Sequence, residues 1–462
     1  MENVIRMINF AELIMMCMVL KRKIDSFLEE WHSNPQRLPL IVKGARQIGK
    51  TFSVMEFAKR HYSNIVYINF ALQQKFHVIF RDGYEVENVI KNITYIDTSI
   101  TFVPGDTLLF FDEIQACPKC ATSLKSFALA REIDVICSGS LMGINYHEIE
   151  SNSVGYKQDY EMFSLDFEEF LWAKGYTNDQ ICSLLDNMVS LSPLLTGQME
   201  SLTEAFREYM TLGGMPAIVN RFIETNTFSG SLESQRQLLA DYEEDITKYA
   251  IGLDKGKILA AYRQIPVFLG QDNKKFQISK VSPGARSREY VGVIDWLKDA
   301  GIINVCYCLN QLSLPLRGNY NPTAYKVYFQ DTGLLTASLD EEAQEDLRAN
   351  RNFNTYKGAL YENVMADMLR KQNYGLYYYK SDKSDMEIDF FVRDAHSLVP
   401  LEVKAEDHTP RSLVNLIKKA DKYTDIKYGI KFGHKNIGFN GQFYTFPYFL
   451  AFLLRRYLKT KL

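Results

Sequence analysis

Gly44-Ala45-Arg46-Gln47-Ile48-Gly49-Lys50-Thr51 meets the spacing G-x-x-x-x-G-K-[ST] at every position, and that spacing suits the holding of a nucleoside triphosphate. Its two glycines let backbone N–H groups curl around phosphates, while Lys50 reaches the β- and γ-oxygens and Thr51 offers a hydroxyl to Mg²⁺. The apolar run Leu38-Pro39-Leu40-Ile41-Val42 before it reads as a buried strand. Phe52 to His61 after it has helical spacing and points a positive N-terminal end at the same phosphates. ATP and Mg²⁺ are the expected cofactors.

Hydrolysis needs more than a cradle. Thr107-Leu108-Leu109-Phe110-Phe111 reads as a strand buried on both faces, and it delivers Asp112 and Glu113 at its C-terminal end, where α/β sheets place their ligands. Asp112 is expected to hold the Mg²⁺ shell and Glu113 to polarise the attacking water. A further strand, Ile133 to Cys137, ends in Ser138-Gly139-Ser140. In this class such a strand lies between the two others, and Ser138 or Ser140 is the candidate reader of the γ-phosphate; ordinary Ser/Gly turn chemistry is the alternative.

A second constellation lies near the C-terminus. Glu387-Ile388-Asp389-Phe390-Phe391-Val392 and Leu398-Val399-Pro400-Leu401-Glu402-Val403-Lys404 read as adjacent hairpin strands. Side chains alternate along a strand, so Glu402 and Lys404 share a face that Asp389 can join. Asp389 and Glu402 could bind Mg²⁺, Lys404 could assist a water, and Glu362 on the preceding helix could add a third acid, the equipment of phosphodiester hydrolysis. The same residues could equally be kept for structure alone.

These residues require a large α/β scaffold. The chain has 462 residues, 46% hydrophobic and 13% aromatic, enough for two or more packed domains. A net charge of −3 gives no global attraction for nucleic acid, so any DNA contact must be a local patch. Seven scattered cysteines form no disulfide framework and point to a reducing, cytoplasmic setting. Cys117-Pro118-Lys119-Cys120 has metal spacing, but Cys306 and Cys308 do not complete a zinc site. Met7 to Leu20 is apolar yet too short to span a bilayer, and no membrane association is expected. An amphipathic helix follows Met18, so Met18 is the expected natural start, with residues 1–17 an over-extended or disordered leader.

The expected order is an ATPase core over 18–165 and a helical lid over 166–250, then a winged helix over 251–340 and a nuclease-like domain over 341–462. The winged helix rests on a strand at Phe276 to Ser279, a tight segment at Lys280 to Ala285, a long helix from Ser287 to Ala300 and two later strand runs. Arg286 and Arg288 would meet DNA, though such domains also dock proteins.

Taken together, these strings resemble the prokaryotic AAA/STAND-like ATPases whose C-terminal half is a domain of unknown function with a PD-(D/E)XK, restriction-endonuclease-like core. The resemblance rests on Gly44 to Thr51, Phe111-Asp112-Glu113-Ile114-Gln115, Ser138-Gly139-Ser140, Gly213-Gly214-Met215-Pro216, Asp331-Thr332-Gly333-Leu334, Gly358-x-x-x-Glu362-Asn363, and Glu387-Ile388-Asp389 with Glu402-Val403-Lys404. It implies an ATP-hydrolysing core, a winged helix and a nuclease-like tail; AAA-type cores often need a neighbouring subunit, and DNA, a second copy or another protein is the candidate partner. Relatives tend to carry Gly-Arg where this chain has Gly155-Tyr156-Lys157; the arginine's role is then vacant or passes to Lys157, a point charge rather than a planar fork, with Arg131 the alternative finger or simply a surface helix arginine.

Overall fold

The computed structural model describes residues 19–141, 153–250, 254–271, 273–282, 284–351, 356–381, 384, 386–404, 409–419 and 421–461. The proposed leader and start at Met18 lie outside the described residues. The chain divides into two compact units, 1–164 with 299–301, and 165–298 with 302–462.

In the first unit five strands, β1 (Leu40–Gly44), β2 (Asn64–Asn69), β3 (Thr107–Asp112), β4 (Asp134–Ser140) and β5 (Gln158–Glu161), form one parallel sheet in the order β2-β3-β4-β1-β5. All six residues of β3 are buried, as an inner strand of such a sheet demands. The edge strand β5 is instead mostly exposed and carries Asp159 and Glu161. Ile41, Leu109, Phe111, Val135 and Cys137 enter a single apolar cluster. Helix Val86–Ile96 closes it with Val86, Val89 and Ile93, the spacing of one helical face. Because β4 pairs with both β1 and β3, the ends of the phosphate loop strand and of the acidic strand converge on Ser138 to Ser140.

The second unit begins with the helix Phe167–Ala173, whose Asp166 cap accepts from Glu169 N at 2.9 Å while Glu169 Oε2 accepts from Asp166 N at 3.0 Å. Helices Asn178–Ser190, Thr196–Leu212, Pro216–Thr225, Ser231–Tyr249 and Lys255–Leu269 follow. Two of the marked sequence strings meet here. Asp331 accepts from Gly214 N at 2.7 Å and from Gly333 N at 3.0 Å, so one buried carboxylate satisfies the turn after one helix and the start of another.

Among the described residues the unit has nine further strands: β6 (Ile303–Leu309), β7 (Tyr320–Phe329), β8 (Leu376–Lys380), β9 (Glu387–Ile388), β10 (Phe390–Arg393), β11 (Leu398–Val403), β12 (Gly429–Gly433), β13 (Gly438–Phe439) and β14 (Phe443–Pro447). They make a sheet ordered β7-β6-β8-β9 and another ordered β10-β11-β12-β14-β13.

The winged-helix reading needs correction. Residues Ile278–Lys280 are one 3₁₀ turn rather than part of a strand, and the long helix expected from Ser287 is a 3₁₀ turn, Ser287–Tyr290, followed by a short helix, Val293–Asp299. Gly292 breaks it with φ +81°, a conformation that no continuing right-handed helix contains. The hairpin β6–β7 is present, but β6 also pairs in parallel with β8. It is therefore the body of a sheet, not a free wing, and that sheet crosses the boundary expected near residue 340.

Candidate nucleotide site and acidic centre

In the first unit the site is built around Asp112. Its Oδ2 accepts from Thr51 Oγ1 at 3.0 Å, the Tyr67 hydroxyl at 2.8 Å and Asn69 Nδ2 at 3.2 Å. Its Oδ1 accepts from Glu113 N at 3.0 Å and from the buried Ser138 hydroxyl. Every one of these donors is neutral, so the carboxylate is oriented without an ion pair, and the Lys50 ammonium acts on it through space rather than through a bond. Burial, with the Asp112 charge beside it, pushes the Tyr67 phenol up and keeps it a donor.

The loop itself is tightly packed. A Cβ on Gly44 would lie 2.3 Å from the Met162 carbonyl oxygen, a contact that only glycine avoids. Ala45 and Ile48 are buried, Arg46 is half-buried, Gln47 is exposed with φ +62°, and Gly49, at φ +92°, starts the helix Lys50–His61. Lys50 Nζ donates to the Ala45 carbonyl at 2.7 Å and the Gly44 carbonyl at 3.2 Å. Burial pushes its ammonium down to about 8, against the opposing pull of Glu113 and Asp112. Behind the loop, the buried Arg22 guanidinium donates to Ile48 O at 3.0 Å and to Phe163 O at 2.8 Å. Arg22, Tyr67 and Asn69 carry no motif, and only strand register and the packing of the first helix bring them here.

Glu113 stands just past β3 at φ +55°. The Gln115 side-chain amide donates to its Oε2, and the Gln115 carbonyl oxygen accepts from Ser140 N at 3.3 Å. Of the two serine candidates, Ser138 is thus placed on Asp112 and Ser140 at the Gln115 end. Neither expected source of a finger bonds to this cluster. Arg131 donates to Gln36 at 2.7 Å on the surface, and Lys157 pairs with Asp159 at 2.8 Å, which Lys43 also reaches at 2.6 Å.

In the second unit the hairpin β10–β11 sets Phe390 opposite Leu401, which brings Asp389 beside Glu402. Asp389 Oδ2 accepts from Val403 N at 2.8 Å, and Lys404 Nζ pairs with Glu402 Oε1 at 2.6 Å. Glu402 Oε2 is buried with no hydrogen-bond partner. Burial, then the neighbouring Asp389, raises the Glu402 carboxyl well above its usual range; burial, then Glu362, raises Asp389.

Glu362 departs from its expected part as a third ligand. Burial would raise it, but Lys274 and Lys326 outweigh burial and hold it below the usual carboxylate range. Lys274 Nζ bonds its Oε1, while its Oε2 takes the Tyr328 hydroxyl at 3.1 Å and Lys326 Nζ at 3.6 Å. Lys326, 2% exposed, also pairs with Glu387 at 2.8 Å, and Lys380 pairs with Glu387 at 2.9 Å. Among the described residues, no three His, Cys, Asp or Glu side chains gather in a way that could hold a metal ion.

A family profile described as an AAA domain matches residues 36–171. Two profiles described as domains of unknown function match further on, DUF8612 over residues 203–345 and DUF4143 over residues 357–449. The profile match and the all-parallel sheet support a P-loop ATPase domain in residues 36–171. Among solved structures the chain is similar to the Walker-type ATPase PABY2304 of Pyrococcus abyssi at 14% identity and TM-score 0.43, covering 69% of this chain and 96% of that one. It is similar to the ORC1 protein of Aeropyrum pernix in complex with DNA at 12% identity and TM-score 0.28, covering 71% and 91%. The RuvB Holliday junction branch migration motor of Thermotoga maritima matches at 14% identity and TM-score 0.29, covering 71% and 93%. No curated protein matches the chain. No described helix is long and apolar enough to cross a membrane.

Proposed function

We propose that the chain is an ATP-binding and ATP-hydrolysing switch whose nucleotide state is passed to a partner through the second unit. The observation that carries this reading is the Asp112 carboxylate, oriented by Thr51, Tyr67, Asn69 and Ser138 and cancelled by none of them. Thr51 and Asp112 offer hard oxygens 3.0 Å apart, a donor set that suits Mg²⁺. Bound there, the ion would supply charge neutralisation for the phosphate oxygens. Lys50 and the loop N–H groups from Gly44 to Thr51 would hold the phosphates, Glu113 would accept the proton of the attacking water, and Ser138 or Ser140 would face the γ-phosphate. ATP turnover by the purified chain, lost in Lys50→Ala, tests the reading; wild-type turnover in that variant would sink it.

For the second unit, the charge balance favours a docking role. Glu362 and Glu387 each pair with two lysines, sharing Lys326, and Glu402 pairs with one, so much of the acidic charge already has a cationic partner inside the fold, while Asp389 is held by the Val403 N–H. The other reading, a DNA-processing module, is supported by the grouping of Asp389, Glu402 and Lys404. Metal-dependent nicking of plasmid DNA by the full chain, abolished by Asp389→Ala, would decide for DNA; no nicking with Mg²⁺ or Mn²⁺ leaves a protein partner or a second copy of the chain.

A further inference from the structure

Glu113 is a residue with two neighbours in sequence that matter to it differently. Its own amide donates to Asp112, and its backbone sits at φ +55°, where a non-glycine residue is uncommon and costs conformational energy. The chain then continues into the 3₁₀ turn Ile114–Ala116, which carries the Gln115 side chain back toward Glu113. Gln115 uses both ends of one planar amide: its NH₂ donates to Glu113 Oε2, and its carbonyl oxygen accepts from Ser140 N at 3.3 Å. A carboxylate has a second oxygen, and holding Oε2 leaves Oε1 to take a proton from water.

We propose that Gln115 is the positioning residue of the hydrolytic base, tying the Glu113 carboxylate to the end of the strand that carries Ser138 and Ser140. The inference rests on the ATPase reading above and adds to it a coupling. Ser138 bonds Asp112 on the cation side of the site, Ser140 bonds Gln115, and Gln115 bonds Glu113 on the water side. A displacement of the β4 end is therefore delivered to both carboxylates at once. No change of proton or electron count is involved; Gln115 donates a hydrogen bond before and after the reaction.

The test uses the full chain with ATP and Mg²⁺. Gln115→Ala should lower kcat by about 10- to 100-fold, the scale of a misplaced reacting group, with ADP affinity unchanged to within about twofold. Gln115→Asn, which keeps the amide but is too short to span both partners, should lose about as much. Added to Glu113→Gln, Gln115→Ala should cost nothing more, because the group it positions no longer acts as a base. Unchanged kcat in Gln115→Ala and Gln115→Asn, or an equal loss on the Glu113→Gln background, would overturn the proposal. If Lys50→Ala is inactive while all Gln115 variants turn over normally, this inference fails and the ATPase reading stands; if Lys50→Ala turns over normally, the ATPase reading itself has failed.

Discussion

The two units each gather carboxylates and a lysine in a buried place, and they treat the charge in opposite ways. Around Asp112 the partners are hydroxyls, an amide and a backbone N–H, while Lys50 is bonded to loop carbonyls and not to the acids. Around Glu362, Glu387 and Glu402 every acid has an ammonium partner, one of them the enclosed Lys326, with the Tyr328 hydroxyl added at Glu362. A carboxylate fixed by neutral donors keeps its field for an incoming cation. One fixed by lysines has given that field to the fold. Acidic residues in a pocket are thus poor evidence for metal chemistry until their partners are known.

The contrast can be broken most sharply in the first unit. Lys50→Ala should abolish nucleotide binding, and Glu113→Gln should bind ATP yet turn it over about 10²–10⁴-fold more slowly, as read by equilibrium binding and phosphate release. The second unit should respond in stability instead. Glu362→Ala strips Lys274 of its carboxylate and leaves the enclosed Lys326 with Glu387 alone, and should cost about 1–3 kcal/mol in chemical unfolding of the full chain. Asp112→Asn, which removes no ion pair, should cost far less; equal losses in the two would erase the distinction.

A smaller effect follows from Lys50. The phosphates need its ammonium, and burial has brought it down to about 8. The proton is in place below that value and is lost above it, so ATP affinity should be flat from pH 6 to 7.5 and about tenfold weaker by pH 9. A Kd that does not change with pH would place the ammonium's titration elsewhere. The smallest effect is expected from metal alone. Without nucleotide, millimolar Mg²⁺ should shift the thermal midpoint of the second unit by less than about 1 °C if the lysines already balance its acids. A clear rise, absent in Asp389→Asn, would restore the nuclease reading.

Much of the first unit was legible in the chain because its signals are local. A loop of eight residues with fixed glycines, an apolar strand ending in two acids, and a strand ending in Ser-Gly-Ser each carry their meaning within a few residues, and the parallel sheet with β4 between β1 and β3 follows from that class. In the second unit helical spacing is local in the same way, and helices Phe167–Ala173, Thr196–Leu212 and Ser231–Tyr249 fall within the stretch expected as a helical lid. The expected winged helix misled because helical spacing continued through Gly292, whose positive φ is a property of the folded backbone. Likewise the hairpin β6–β7 looked self-contained, but β8 pairs with β6 from far along the sequence.

By itself the sequence determined where a nucleotide could be held and which acids could serve it, since that chemistry is written in short runs. Only tertiary structure decided what cancels each charge. Lys274 and Lys326 reach Glu362, Tyr67 reaches Asp112, and Arg22 reaches the phosphate loop across separations that no spacing rule encodes. The physical reason is that an ionised group's behaviour depends on distance in space and on burial, and both are set by strand register and packing after the chain has folded.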